Sequence, residues 1–512
     1  MRMKSEKQAT VLFAGSLFAL AAFAVDCIGL CPPIRTDSDR SATALNVGFK
    51  RIGTLRQKDV REVGQSNFTI DAAPVDRDFA DFDKYCAYLP PLGVAKIRIL
   101  TGWAKSEKVK GHIDTAWLEH IVDWCCAHGI EPLLELSYGN PIYEGGGGPG
   151  LADGMPNKPE GLAAWDRWVE HLARTFAGRV NEWAMWNEPD NKPKPGNEPH
   201  TPEQIAAFNA RSARILKRAM PNCRLHALSL AHNSPEFLEK CLIAFGEDVK
   251  LFDTFVYHGY VRNPDSSYED VERQKALVAR YAPHARLRQG ENGCPSEYID
   301  GFGLCRYPWS ELSQAKWDLR RMLGDLGHDV ESGLFCFVDI NYAPPMHPIA
   351  RCNRKGYLRT NASNDVIRIK RVYYAVQNAV SIFNANVERV RENPQAQCRD
   401  RTVSLYEYRT RGGAPLLVFW EHGAKDSYAS KPDPQKCPNE SVETRGIPIE
   451  WSGRPFRGPV WVDLLTGWVY EVPDNMQLVH SCGIDFVEVP VYDSPCVLTE
   501  KNAIDICKQE EK

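Results

Sequence analysis

The sequence predicts an α/β chain, a closed (β/α)8 barrel followed by a smaller C-terminal β-sandwich. Three observations predict it. Residues 46–384 alternate short β-like runs with amphipathic helical stretches, which is the signature of consecutive βα units. Around residues 367–383 a last helical pattern gives way to turns and alternating strands. A length of 512 residues exceeds one ordinary core and suits a large α/β domain plus a smaller one.

Taken in order, the barrel strands are expected at residues 44–49, 95–100, 131–137, 180–186, 224–230, 254–257, 286–289 and 333–338. Helices are expected between them at 115–128, 161–176, 202–220, 235–245, 268–281 and 311–326, each apolar at three-to-four-residue spacing. Beyond the barrel, strands are expected at 402–408, 415–420 and 460–465, with Thr466-Gly467 turning a hairpin that ends near Tyr470. The implied organisation is a signal peptide over residues 1–24, a barrel domain over 25–385 and a β-sandwich over 386–512.

The signal peptide is read from Arg2, Lys4 and Lys7, the apolar run at 11–23, and the small-x-small sequence Ala22-Phe23-Ala24. That run falls short of the roughly 20 residues that span a bilayer, so a secreted or periplasmic protein is expected. All 16 cysteines follow the cleavage point, in a compartment that permits pairing. Cys294 with Cys305, and Cys336 with Cys352, bracket loops and are candidate staples. Cys86, Cys125 and Cys126 sit in helical patterns and read as buried thiols. A hydrophobic fraction of 43% and a charged fraction of 25% are those of an ordinary globular protein, and a net charge of −4 argues against nucleic acid as a partner.

Function in such a barrel gathers at the carboxyl ends of the strands. Two glutamates fall there. The run Val180-Asn181-Glu182-Trp183-Ala184-Met185-Trp186 leads into Asn187-Glu188-Pro189 at the end of strand four, and strand seven leads into Gly290-Glu291-Asn292-Gly293. Two carboxyl groups facing each other across a barrel mouth can divide the work of acid and nucleophile. Asn-Glu-Pro occurs again at Asn197-Glu198-Pro199, but no strand delivers that copy, so Glu198 reads as a solvated loop residue. Trp103, Tyr138, Tyr143, Trp186 and Trp309 lie near strand ends and offer flat apolar faces of the kind on which sugars stack.

These motifs resemble the clan A retaining glycoside hydrolases, which carry the acid/base on strand four and the nucleophile on strand seven. The resemblance rests on Trp186-Asn187-Glu188-Pro189, on His258-Gly259-Tyr260 at strand six, and on Arg98 at strand two. It implies that Glu188 is the acid/base, Glu291 the nucleophile and Asn187 the holder of a sugar 2-hydroxyl. Tyr260 and Arg98 would steady an ionised Glu291, and His258 would join the substrate-binding set. The segment from Ser137 to Tyr143, the run Tyr373-Tyr374-Ala375-Val376-Gln377 and the trailing β-domain are similar to proteins near glycoside hydrolase family 39. Strand eight, where these enzymes often carry a tryptophan, reads Phe335-Cys336-Phe337-Val338-Asp339.

The expected partner is therefore an oligo- or polysaccharide. His-Glu-x-x-His, Gly-x-Ser-x-Gly and paired Cys-x-x-Cys are absent from the sequence, so neither a catalytic metal nor a cofactor is expected. Gly145–Gly148 is followed by no Lys-Ser/Thr, so it does not read as a phosphate cradle. A transglycosylase using the same residues, or a catalytically silent sugar-binding barrel, is the alternative to hydrolysis.

Overall fold

A computed structural model describes residues 45–508, apart from 195–197, 300–302, 306, 344–350, 423–441 and 482. The expected signal peptide lies outside the described residues. Eight parallel strands close into a barrel: Phe68–Asp71, Lys96–Leu100, Glu131–Glu135, Glu182–Ala184, Arg224–Leu230, Thr254–His258, Arg286–Asn292 and Glu331–Leu334. Closure is made where Phe68 pairs with Ser332 and Ile70 with Leu334. The strands are almost wholly buried because helices cover the barrel's outside, and polar residues such as Asp71, Lys96, Arg98 and Arg288 are interspersed with the apolar ones and buried with them.

The surrounding helices include Ala116–Ala127, Pro159–Thr175, Pro202–Ala219, Pro235–Phe245, Tyr268–Tyr281, Glu311–Gly327 and Arg371–Ile382. Their starts are chemically marked. The Thr201 hydroxyl accepts from the Gln204 backbone N–H while the Thr201 N–H donates to the Gln204 side-chain oxygen, with Pro202 at the first helical position. Ser234 caps Pro235–Phe245 and Ser310 caps Glu311–Gly327.

One strand was expected in the wrong place. Of the strand expected at 44–49, the described residues 45–49 do not enter the barrel; its first strand is Phe68–Asp71, four buried residues inside what reads from sequence as a long loop. So short a run leaves almost no periodic signal. The neighbouring strand Lys50–Leu55 belongs instead to the C-terminal domain, paired between Trp468–Glu471 and Ile506–Lys508. Lys50–Leu55, expected within the barrel domain, is thus a strand of the C-terminal sheet. Strand eight ends at Leu334, earlier than expected, and the chain beyond it runs on to a bridge between Val338 and Leu358.

The C-terminal domain is β-rich, with antiparallel sheets of eight and four strands. Leu417, Phe419, Trp461, Tyr470 and Leu498 of the larger sheet pack against Ile447, Ile449, Phe486 and Val489 of the smaller. The opposite face of the larger sheet, with Leu416, Val418, Trp420, Val460 and Val462, joins the barrel's own core. The expected hairpin is present, Val462 pairing with Val469 around a turn in which Gly467 has φ +76°. Polar ties cross the junction: Lys316 Nζ lies 2.6 Å from Asp493 and Trp420 Nε1 donates to Asp265 at 2.8 Å.

Cys336 and Cys352 carry free thiols, so that expected staple is not formed; the Cys336 thiol donates to the Val338 carbonyl. Cys294 and Cys305 are both buried, Cys294 in a small cluster with Trp309 and Trp317. Cys125 is buried as expected, while Cys86 is half-buried and Cys126 exposed. No helix among the described residues is long and apolar enough to cross a membrane.

Candidate active site

Parallel pairing brings the chemistry-bearing residues together at one end of the barrel. His258 on strand six is level with Glu291 on strand seven, Asp71 on strand one with Arg98 on strand two, and Leu100 on strand two with Glu135 on strand three. Glu188 follows strand four, held where its backbone N–H donates to the Ser229 carbonyl. Its φ of +49° lies in the left-handed region, unusual outside glycine. Such a conformation persists where surrounding structure enforces it, and it clusters at functional sites.

One carboxylate oxygen of Glu188 and one of Glu291 lie within 4.8 Å of each other, with His258 Nδ1 in the same cluster. The two carboxyl groups have different company. Glu291 accepts from Tyr260 Oη at 2.7 Å and from Arg98 Nη1 at 2.8 Å. Glu188 shares a hydrogen bond with His258 Nδ1 at 2.8 Å and accepts from Asn191 Nδ2 at 2.8 Å. His258 Nδ1 lies 3.7 Å from Glu291, so the imidazole stands between the two acids.

Burial alone would push the Glu291 carboxyl up. The positive charges of His258 and Arg98, with hydrogen bonds from Tyr260 and Arg98, outweigh that and hold it below the usual carboxylate value. Burial would conversely lower His258, but the Glu291 charge and the contact with Glu188 raise it above an ordinary histidine. Burial drives Tyr260 well upward, helped by Glu291, so its hydroxyl stays a donor.

Arg98 is the hub. Besides Glu291 it donates to Asp71 at 2.5 Å, Glu135 at 2.5 Å and Asn187 Oδ1 at 2.6 Å. Asn187 Nδ2 donates onward to Tyr138 Oη at 2.5 Å, which fixes which end of the amide faces which neighbour. Asp71, buried against this network, is pushed up to about 6, burial raising it, Arg98 opposing and Glu291 adding to it. Asp71, Glu135 and Asn191 are site residues that sequence reasoning missed. Asp71 was lost with its misplaced strand, whereas Glu135 was visible as a charge within Leu133-Leu134-Glu135-Leu136.

The structure thus brings together Arg98, Tyr138, Asn187, Glu188, His258, Tyr260 and Glu291. It does not bring in the expected tryptophans. Trp103 is 0% exposed, donating to Glu107 at 2.6 Å and packed on Tyr143 and Trp165, so no face is left for a sugar. Trp186 is buried against Trp165, Phe208 and the edge of Tyr138. Both are core residues that hold the strand-three and strand-four ends. Trp309 and Tyr143 are likewise buried.

Glu188, His258 and Glu291 are the grouping among the described residues close enough to ligate a metal ion. Every one of the four carboxylate oxygens, however, already faces a hydrogen-bonding neighbour from Arg98, Tyr260, His258 or Asn191. That suits a positioned acid pair better than a coordination sphere.

Solved glycoside hydrolases share this fold. A family 39 glycoside hydrolase from the gut symbiont Bacteroides cellulosilyticus WH2 is similar over 85% of this chain and 81% of its own, with TM-score 0.58 and 17% identity. A monomeric β-xylosidase from Caulobacter crescentus CB15 is similar over 89% of this chain and 98% of its own, with TM-score 0.54 and 15% identity. The endo-β1,6-glucanase BT3312 aligns over 89% and 94%, with TM-score 0.52 and 13% identity. No family model matches the sequence, and no curated protein matches it.

Proposed function

We propose that this protein is an exported retaining glycoside hydrolase, with Glu291 as nucleophile and Glu188 as general acid and base. The observation that carries this reading is the approach of the two carboxylates to within 4.8 Å. Retaining glycosidases need about 5 Å between the groups, whereas inverting ones need roughly 6.5–9.5 Å to admit a water. The fold shared with enzymes named as xylosidase and glucanase supports the substrate class.

In the first step Glu291, kept ionised by Arg98, Tyr260 and His258, attacks the anomeric carbon while Glu188 gives its proton to the departing oxygen. The glycosyl ester on Glu291 is then hydrolysed, Glu188 taking a proton from the attacking water. Tyr260 and Arg98 regain their full bonds to Glu291 as it leaves. His258 donates to Glu188 when that group is ionised, and so supports its return to the basic form. Asn187, clamped by Arg98 and Tyr138, is placed to meet the sugar's 2-hydroxyl.

The test is proton NMR of the first product formed from an aryl β-glycoside, with β-xylosides tried first. A β-anomer appearing before mutarotation is the expected result; an α-anomer would mean inversion and rule the scheme out. Export rests on the N-terminal sequence and is tested by finding the mature N-terminus near residue 25 in secreted material.

A further inference from the structure

Four lysines are buried among the described residues, and three have an obvious reason to be. Lys96 meets Glu182 at 2.8 Å, Lys316 meets Asp493 at 2.6 Å, and Lys370 meets Asp339 at 2.6 Å. The fourth, Lys355, is 1% exposed, and among the described residues its ammonium meets neither a carboxylate nor any hydrogen-bond acceptor. Burying a cation without a partner is costly, so such a group is retained where something outside the chain supplies the countercharge.

Its position says where that partner would sit. The ammonium lies 5.5 Å from the ring centroid of Tyr260, whose hydroxyl holds the Glu291 carboxylate. Glu291 itself is near enough to influence the Lys355 charge. The backbone is fixed on both sides: the Lys355 carbonyl accepts from Gln314 at 3.0 Å, and the Gly356 N–H donates to Asp339 at 3.1 Å. A Cβ on Gly356 would meet the Asp339 nitrogen at 2.0 Å, so this turn is pressed directly against the segment that follows strand eight. The lysine is therefore a built feature of the site wall rather than a surface side chain that happens to fold inward.

We infer that Lys355 binds an anionic substituent, a carboxylate or a sulfate, carried by the sugar in the catalytic site. The inference rests on the carbohydrate reading of that site and names its substrate class. Burial lowers the lysine's proton affinity, with nearby thiols and Glu291 acting the other way, and an incoming anion would favour the charged form further. Tyr260 contributes its ring face to the same cation.

The experiment is titration calorimetry of the full chain with methyl glycosides of glucuronate and galacturonate, the corresponding 6-sulfates, and the neutral parent sugars. At least one anionic sugar is expected to bind about tenfold or more tightly than its parent. Lys355→Met, nearly the same shape without the charge, is expected to erase that preference while its thermal midpoint is unchanged or raised. The carboxylate and sulfate arms distinguish which anion fits. No preference in the wild-type protein, a preference that survives Lys355→Met, or no binding of any sugar would each overturn the inference. Aryl-glycoside turnover with no anion preference would overturn this inference alone, and an anion preference without turnover would overturn hydrolysis alone.

Discussion

Glu188 and Glu291 are the same residue type in two environments, and the difference is what lets one attack while the other trades protons. Replacing Glu291 by Gln removes the nucleophile, and turnover is expected to fall by at least about 10⁴-fold. Glu188→Ala should cost about 10²–10⁴-fold on substrates with poor leaving groups and much less on nitrophenyl glycosides, which need no acid. Steady-state rates on the two substrate classes check this. Tyr260→Phe removes a charge-assisted bond of roughly 1.5–3 kcal/mol from Glu291. The Glu291 value is depressed in the folded protein, so its contribution to stability is present above the unfolded carboxylate value and lost as pH falls through the folded one. Losing Tyr260 raises the folded value, and the acid limb of the kcat/KM profile should move to higher pH; an unmoved limb would contradict the assignment. Most of this constellation was legible because Trp186-Asn187-Glu188-Pro189, His258-Gly259-Tyr260 and Arg98 each carry local sequence context. What was not legible is the set of second partners. Asp71 and Glu135 meet only through Arg98, and nothing in a linear sequence states that three strands converge on one guanidinium.

At the scale of elements, long amphipathic helices were read to within a few residues. Pro235–Phe245 and Tyr268–Tyr281 fall where their periodicity put them, since burying one apolar face against the barrel is what makes them helices. Short buried strands were harder. Phe68–Asp71 has only four residues, too few to establish a period, so its place is set by closure against Glu331–Leu334 and by Lys96–Leu100 rather than by its own pattern. The tryptophans misled for a related reason, because a large ring near a strand end serves core packing as readily as sugar stacking. The segment after strand eight is fixed by Asp339, which is fully buried and held by Lys370 at 2.6 Å, Arg354 at 3.0 Å and the Gly356 N–H. Lys370→Met would leave that carboxylate undercompensated, and a loss of about 3–5 kcal/mol is expected in urea denaturation. A change under about 1 kcal/mol would mean that Arg354 alone suffices.

For the molecule as a whole, the β-rich domain is not an appendage. Its larger sheet takes in Lys50–Leu55 from before the barrel and lays Leu416, Val418, Trp420, Val460 and Val462 onto the barrel core. A chain cut after residue 385 would expose that apolar face and strand the Lys50–Leu55 segment without partners. Such a truncation is expected to be insoluble or to lose cooperative thermal unfolding by circular dichroism; a soluble, cooperatively folding fragment would show the domains to be separable. This return of the N-terminal strand is not legible in the sequence, because pairing across more than 400 residues leaves no local trace.

The most direct test of the central claim is hydrolysis of an aryl-glycoside panel covering β-xyloside, β-glucoside, β-galactoside, β-mannoside, α-L-arabinoside and β-glucuronide by the wild-type chain and by Glu291→Gln. Turnover of at least one glycoside by the wild-type chain, lost in the variant, is the predicted result. Wild-type rates in Glu291→Gln would contradict it.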